Sequence, residues 1–362
     1  MRRKIRRFTG WRASVLKRRE LEDMGYVSAS DLPFEEYRNS NFLITGATGL
    51  IGSLLIKNLL HCNRIHGLGI KIFAVVRDPQ KAERIFADFS DDIALKFLVC
   101  NLENDKICVE TKVDYIIHAA AVTQSKMMVT KPVETIRLSV NSTDQLLTLA
   151  VEKKVKSFIY ISSMEVYGVL NGTDKVDENA LGYLNLQAVR SCYPESKRMC
   201  ECLCVAYAQE YGVNTRIARL AQTFGAGILE TENRVFAQFA RSVIEKKDIV
   251  LHTLGKSEGN YVYTRDAIQA LLLLLIKGES AQAYNISNEK SHTTIANMAQ
   301  MVASDIAKDE IKVVFDIPED NMLYGYASDT KLYLNSQKMQ KLGWFPEVEL
   351  KEAFERMIDD MQ

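Results

Sequence analysis

The sequence predicts an α/β fold, a doubly wound parallel sheet carrying a smaller C-terminal lobe. Three observations lead there. Short β-branched and aromatic runs alternate with helical stretches between residues 41 and 220, a glycine-rich turn joins the first run to the first helix, and the rhythm loosens after residue 220. Strands that alternate with helices pair in parallel, and a parallel sheet is covered on both faces.

Taken in order, Asn41-Phe42-Leu43-Ile44-Thr45 is a short apolar strand, and residues 50–60 have helical spacing. Residues 70–76 read as a second strand, closed by Arg77-Asp78-Pro79. Residues 96–100 and 113–118 give the third and fourth strands, residues 133–153 a helix, and Ser157-Phe158-Ile159-Tyr160-Ile161 the fifth strand. Beyond 220, helices and short strands mix over 233–245, 249–252 and 293–307, and the chain ends in Leu342-Gly343-Trp344-Phe345-Pro346 and a terminal helix. The expected organisation is a basic N-terminal extension over 1–40, a dinucleotide-binding domain over 41–220 and, over 221–362, mainly a substrate-binding lobe. That lobe would lie over the carboxyl ends of the strands, where doubly wound folds bind ligands.

Composition narrows the class. Apolar content of 47% and charged content of 25% are those of an ordinary globular protein with a sizeable core. The longest apolar run, residues 270–276, is too short to cross a bilayer, and no signal-peptide layout opens the chain. Seven cysteines without a CxxC pair point to reduced thiols and a cytoplasmic setting. Cys200 and Cys204 would share a helix face while Cys202 points away, so the three cannot clip a zinc ion, and no metal site is expected. The net charge of zero hides an asymmetry: residues 1–19 hold nine Arg or Lys and no acid, leaving 37 basic against 46 acidic residues elsewhere. Such an arm could meet an anionic membrane or nucleic acid. The reading adopted is a solvated extension, or one folded back onto the acidic body, with no nucleic-acid partner.

Thr45-Gly46-Ala47-Thr48-Gly49-Leu50-Ile51-Gly52 lies between the first strand and its helix. One glycine makes the tight turn, one lets backbone approach a pyrophosphate, and one lets the helix pack close to the sheet; the helix N-terminus then faces the phosphates. Gly46, Thr48, Gly49, Leu50, Ile51 and Gly52 are therefore candidate cofactor contacts. The residue ending the second strand reads the cofactor ribose: an acid suits NAD, an arginine NADP. Arg77, followed by Asp78, favours NADP, with NAD the alternative.

Ser162-Ser163-Met164-Glu165-Val166-Tyr167-Gly168 follows the fifth strand, and Tyr193-Pro194-Glu195-Ser196-Lys197 opens the next helix. Tyr193 and Lys197, four apart, share one helix face. A lysine cation there can lower the phenol's pKa and reach the cofactor ribose, and the tyrosinate can take a proton from a sugar hydroxyl that Ser163 also bonds.

These residues resemble the extended short-chain dehydrogenase/reductase superfamily, within it the nucleotide-sugar epimerase/dehydratase family. The resemblance covers residues 40–360 and includes TGATGLIG at 45–52, HAAA at 118–121, Asn141 in NST, SSMEVYG at 162–168, YPESK at 193–197 and KLGWFP at 341–346. It implies a Rossmann domain holding NAD or NADP, a C-terminal lobe holding a nucleotide sugar, and a homodimer. It makes Ser163, Tyr193 and Lys197 the catalytic triad and adds Asn101, Leu102, Ala119, Ala120 and Ala121 to the cofactor contacts. Thr123, Gln222 and Arg234 become the substrate contacts.

Within that family the segments 190–198 and 216–239 are similar to UDP-glucuronate decarboxylases, and Glu165 matches the acid/base glutamate of decarboxylases and 4,6-dehydratases. Three departures stand out. The loop 255–263 has Gly259 where the family usually has an arginine, Gln222 replaces an asparagine, and Met164 replaces the dehydratases' aspartic acid. The implied function is epimerase/dehydratase chemistry through a 4-keto sugar, in glycan precursor biosynthesis. A nucleotide-sugar decarboxylase and an NADPH-dependent carbonyl reductase are the alternatives.

Overall fold

The computed structural model describes residues 16–170, 172, 174–317 and 330–362. Residues 1–15 of the basic N-terminal extension lie outside the described residues.

The chain opens with helix α1 (Arg18–Ala29) and strand β1 (Asn41–Thr45), followed by α2 (Leu50–His66), β2 (Lys71–Val76), α3 (Pro79–Ile85), β3 (Leu95–Val99) and β4 (Tyr115–His118). A short helix α4 (Ser125–Thr130) leads into α5 (Pro132–Lys153), then β5 (Ser157–Ser163), α6 (Cys192–Tyr211) and β6 (Thr215–Leu220). The remainder runs through β7 (Gln222–Phe224), α7 (Val235–Glu245), β8 (Ile249–Leu251), β9 (Glu258–Tyr263), α8 (Thr264–Lys277), β10 (Gln282–Ile286), β11 (Asn288–Thr294) and α9 (Ile295–Met301). It closes with β12 (Val313–Phe315), α10 (Gln337–Lys341) and α11 (Leu350–Met361).

The doubly wound parallel sheet is present, seven strands in the order 3-2-1-4-5-6-10, every pair parallel. The order reverses between β1 and β4, the crevice where such folds bind ligands. Alternation along β1 sorts its side chains between the faces: Phe42 and Ile44 pack with α2 and α8, while Leu43 packs with α5 and α6. A separate core built on Phe224, Phe236, Tyr261, Tyr263, Met298 and Phe354 holds a smaller three-stranded sheet, order β11-β9-β7. The expected loop over 255–263 is largely β9. Its Tyr261 and Tyr263 bury into that core, and the strand pairs with β7 and β11. The chain returns from this lobe to the large sheet, since β10 pairs with β6 and the apolar run at 270–276 lies in α8 against the main core.

Helix α1 folds back onto the body. Its Glu20 binds Lys57 at 2.8 Å, Arg19 binds Asp359 at 2.6 Å, and Asp23 takes bonds from Tyr263 Oη at 2.7 Å and Arg356 at 2.6 Å. One basic residue of the extension, Arg19, thus meets an acid of α11, while its acids Glu20 and Asp23 bind Lys57, Tyr263 and Arg356 of the body. All seven cysteines are unpaired; Cys200 and Cys204 are buried and Cys202 is exposed, as helix spacing required. Among the described residues there is no helix long and apolar enough to cross a membrane and no metal-ligand cluster.

Candidate active site

The carboxyl ends of β1, β4 and β5 lie side by side and carry the glycine turn, the alanine run and Ser163 in that order. Gly46 has φ +64°, and a Cβ there would lie 2.5 Å from the Ala119 carbonyl oxygen. A Cβ on Gly52 would lie 2.3 Å from the carbonyl oxygen of Gly46, so the first turn of α2 rests on bare backbone. Gly49 occupies the N-cap of α2 with no side chain bonded there, which leaves the first amides as donors. A bare cradle under an uncapped helix N-terminus fits a dinucleotide pyrophosphate. Leu50, Ile51 and Thr48 are partly exposed on that cradle, as are Ala119, Ala120 and Ala121. His118 is buried below them, bonded to Thr45 and Thr143, and burial lowers its pKa to about 3, so it stays neutral.

Tyr193 enters on the first turn of α6 and is buried, with the Ser163 hydroxyl beside its phenol. One turn on, Lys197 is also buried; its Nζ donates to the Ile161 carbonyl at 2.8 Å and lies 5.7 Å from the Tyr193 ring centre. Burial pushes the ammonium's pKa down to about 8, so it remains charged at neutral pH and loses its proton as the pH rises past that value. Burial and the neighbouring Glu165 push the Tyr193 phenol well above its ordinary value. Opposing them are the Ser163 hydrogen bond first, then the charges of Arg190 and Arg234. The influences on the phenol are therefore these neighbours, and Lys197, one turn away, is not among the main ones.

The remaining sequence candidates fall into two groups. Gln222 and Arg234 meet, with Arg234 Nη1 donating to Gln222 Oε1 at 3.4 Å, and Arg234 is held by Glu232 at 2.6 Å. Thr123 is exposed beyond β4, and Asn101 and Leu102 follow β3, two strands out from the centre of the crevice. Arg77 is exposed at the end of β2, whereas the Asp78 carboxylate accepts from Lys81 N at 3.0 Å and caps α3.

Comparison with known proteins places the chain in a family. A family model described as the NAD dependent epimerase/dehydratase family matches residues 42–287, more than half of the chain. The chain belongs to the NAD-dependent epimerase/dehydratase family. UDP-glucuronic acid decarboxylase 6 of Arabidopsis thaliana is 28% identical over 332 residues, 90% of this chain and 89% of that one. The dTDP-D-glucose 4,6-dehydratase of Homo sapiens is 26% identical over 331 residues, 88% of each. The UDP-glucose 4-epimerase of Thermotoga maritima superposes with a TM-score of 0.73 at 21% identity, over 89% of this chain and 98% of that one. Family, enzyme class and fold are thus those implied by the sequence motifs.

Two charged residues of this epimerase/dehydratase site had no role assigned from sequence. Arg190 bonds both carboxylate oxygens of Glu165, at 3.0 and 2.9 Å, and its guanidinium lies 5.5 Å from the Tyr193 ring centre. Glu232 holds Arg234. Arg190 lies in a single 3-10 turn (Val189–Ser191) and Glu232 in a loop, too short for spacing to assign a face; only proximity in sequence to Tyr193 and Arg234 could have marked them. The order of influences on Tyr193 gives a first prediction. Ser163→Ala removes the largest influence lowering the phenol's pKa, so the phenol is harder to ionise and kcat at neutral pH is expected to fall by about tenfold. An unchanged kcat would separate Ser163 from the phenol.

Proposed function

We propose that this chain converts a nucleotide sugar through a 4-keto intermediate, with Tyr193 as the base at the sugar C4 hydroxyl. The observation that carries this is the burial of Tyr193 against Ser163, one turn from Lys197, beside the glycine cradle. NAD or NADP would be held by Gly46, Gly49, Gly52 and the α2 N-terminus and would supply the acceptor for the C4 hydride. Ser163 orients the C4 hydroxyl, and Tyr193 Oη takes its proton. Because burial raises the phenol's pKa, the phenolate is a strong base once formed. Lys197, fixed on the Ile161 carbonyl, holds a positive charge below the ring. Glu165, kept in place by Arg190, is the second acid/base group, and Gln222 with Arg234 binds the nucleotide end. Relatives named for UDP- and dTDP-sugars support the substrate class.

Hydride returned to the opposite face of C4 gives an epimer; elimination across C5 and C6 gives a dehydrated sugar. Mass spectrometry of products from a panel of UDP-, dTDP-, GDP- and CDP-sugars tests this: an isobaric epimer or loss of water is expected. Consumption of NADPH with a reduced product would instead support the reductase alternative.

Arg77 is the group presented to the ribose, because Asp78 is engaged at the α3 cap. Arg77→Ala is expected to cut the NADP-to-NAD affinity ratio by about tenfold; a ratio left unchanged removes Arg77 from the ribose site. The chain works as a cytoplasmic homodimer in this reading. Support comes from the unpaired thiols and from apolar Val133, Ile136, Met199 and Val205 left exposed on the packed pair α5 and α6.

A further inference from the structure

Helix α1 precedes residues 42–287, the stretch shared with the family, and it bridges two parts of the body. Toward α2, Glu20 binds Lys57 at 2.8 Å; toward α11, Arg19 binds Asp359 and Asp23 binds Arg356, both at 2.6 Å. The turn that follows β7 passes between these elements. A Cβ on Gly225 would lie 2.3 Å from the Tyr263 ring. Gly227 has φ +79°, and a Cβ there would lie 2.5 Å from Leu54 Cδ2 of α2 and 2.9 Å from Glu20 Oε1 of α1. The turn is thus bare backbone pressed against α1 and α2.

Its peptide groups are held by the same surroundings. Gly227 N donates to Asp360 Oδ2 of α11 at 2.8 Å, Ala226 N donates to Tyr263 Oη at 3.4 Å, and the Ala226 carbonyl accepts from Thr264 Oγ1 at 3.1 Å. Tyr263 Oη is itself fixed: it donates to Asp23 Oδ2 of α1 at 2.7 Å and accepts from Arg356 Nε at 3.0 Å. Lys17, one residue ahead of α1, donates to the Asp360 carbonyl. From Gly227 the backbone reaches the substrate side through two closed turns. Ile228 N donates to the Gly225 carbonyl at 3.3 Å, and Glu232 N to the Leu229 carbonyl at 2.9 Å. The Glu232 carboxylate then accepts from the amides of Asn233 and Arg234, each at 2.9 Å, and from the Arg234 guanidinium at 2.6 Å.

We infer that α1 is a strap that positions Arg234. Asp23 acts through Tyr263 Oη on the turn over 225–227, Asp360 acts on it directly, and the two turns that follow carry this placement to the guanidinium. An arginine fixed before its ligand arrives loses less freedom on binding, so the strap raises affinity for the nucleotide end and leaves the Tyr193 chemistry unchanged. Asp23 and Tyr263 are positioning residues: both are buried, and their polar atoms bond Ala226, Arg356 and each other. The inference rests on the assignment of Arg234 to the nucleotide end of the substrate.

Titration calorimetry of the full-length enzyme with UDP, dTDP, GDP and CDP measures that end by itself, and the tightest of the four is the probe. Arg234→Ala is expected to weaken its Kd by about tenfold or more. Tyr263→Phe keeps the ring and removes only the Oη link, and Asp23→Asn leaves one oxygen for two donors. Each is expected to weaken the probe's Kd by about three- to tenfold, with Kd for NAD and NADP kept within about twofold. The deciding measurement is the double variant: on an Arg234→Ala background, Tyr263→Phe is expected to change Kd by less than about twofold, because the residue it positions is gone. A full additive loss in the double variant, or wild-type affinity in Tyr263→Phe, overturns the strap and leaves the Arg234 assignment standing. Equal weakening of probe and cofactor also overturns it, since a loosened fold would produce that. Wild-type affinity in Arg234→Ala, or a wild type that binds none of the four nucleotides, overturns the nucleotide assignment and the strap together. Should Asp23→Asn fail to fold, Tyr263→Phe decides alone.

Discussion

Tyr193→Phe lowers kcat by about 10²- to 10⁴-fold, the range for loss of a positioned acid/base group, and leaves Kd for the nucleotide sugar within a few-fold. The phenyl ring keeps its buried place on α6, so packing against the cleft is retained and only the Oη atom is lost. Without it the proton of the C4 hydroxyl has no acceptor. Ser163 is already engaged by the Glu165 amide at 3.2 Å, and the Lys197 ammonium is a donor. The effect therefore falls on kcat and not on binding, which steady-state kinetics with titration calorimetry separates. A kcat within about tenfold of wild type would place the base elsewhere.

Glu201→Ala destabilises the protein by roughly 3–5 kcal/mol, a fall in Tm on the order of 10 °C. Glu201 sits two turns below Tyr193 on the same buried face of α6, and it binds Arg219 through Nε at 3.0 Å and Nη2 at 2.7 Å. Arg219 reaches further to Tyr167 Oη at 3.1 Å and the Glu178 carbonyl at 2.8 Å. Both partners are buried, so removing the carboxylate strands a guanidinium in a medium that cannot solvate it. The double variant Glu201→Leu with Arg219→Met removes both charges and is expected to recover most of the lost stability. Thermal unfolding of the two variants checks this. A double variant as unstable as Glu201→Ala would show that packing, not the stranded charge, is what was lost.

The legible and illegible parts of this molecule divide along physical lines. Five of the seven strands of the large sheet could be read because β-branched runs punctuated by glycine and Arg-Asp-Pro mark buried parallel strands, whereas β6 and β10 were not read, and the cradle could be read because three glycines meet a close backbone contact. Helical spacing put Tyr193 and Lys197 on one face, while their catalytic reading came from the glycine turn, the serine segment and the family resemblance. Extending that spacing one step reaches Glu201, whose role stayed hidden because its partner lies on a strand. Two arginines, Arg216 and Arg219, stand in the buried strand β6, where local pattern offers them no partner. Helix α1 was hidden for a similar reason: its anchors are Asp359 and Arg356, more than 300 residues away. Strand β9 read as a loop because Gly255, Gly259 and Lys256 mimic turn composition, while its pairing with β7 and β11 is long-range. Arg190 belongs with these, since its value comes from folding onto Glu165.

The most direct test of the account is a single-turnover experiment with substrate deuterated at C4. The near-ultraviolet absorbance of reduced nicotinamide is followed in wild type and in Tyr193→Phe. The account predicts a transient rise in wild type, slowed by deuterium at C4 and unaffected by deuterium at C3, and no rise in the variant. A reaction that proceeds with no isotope effect at C4, or equally fast in the variant, would contradict it.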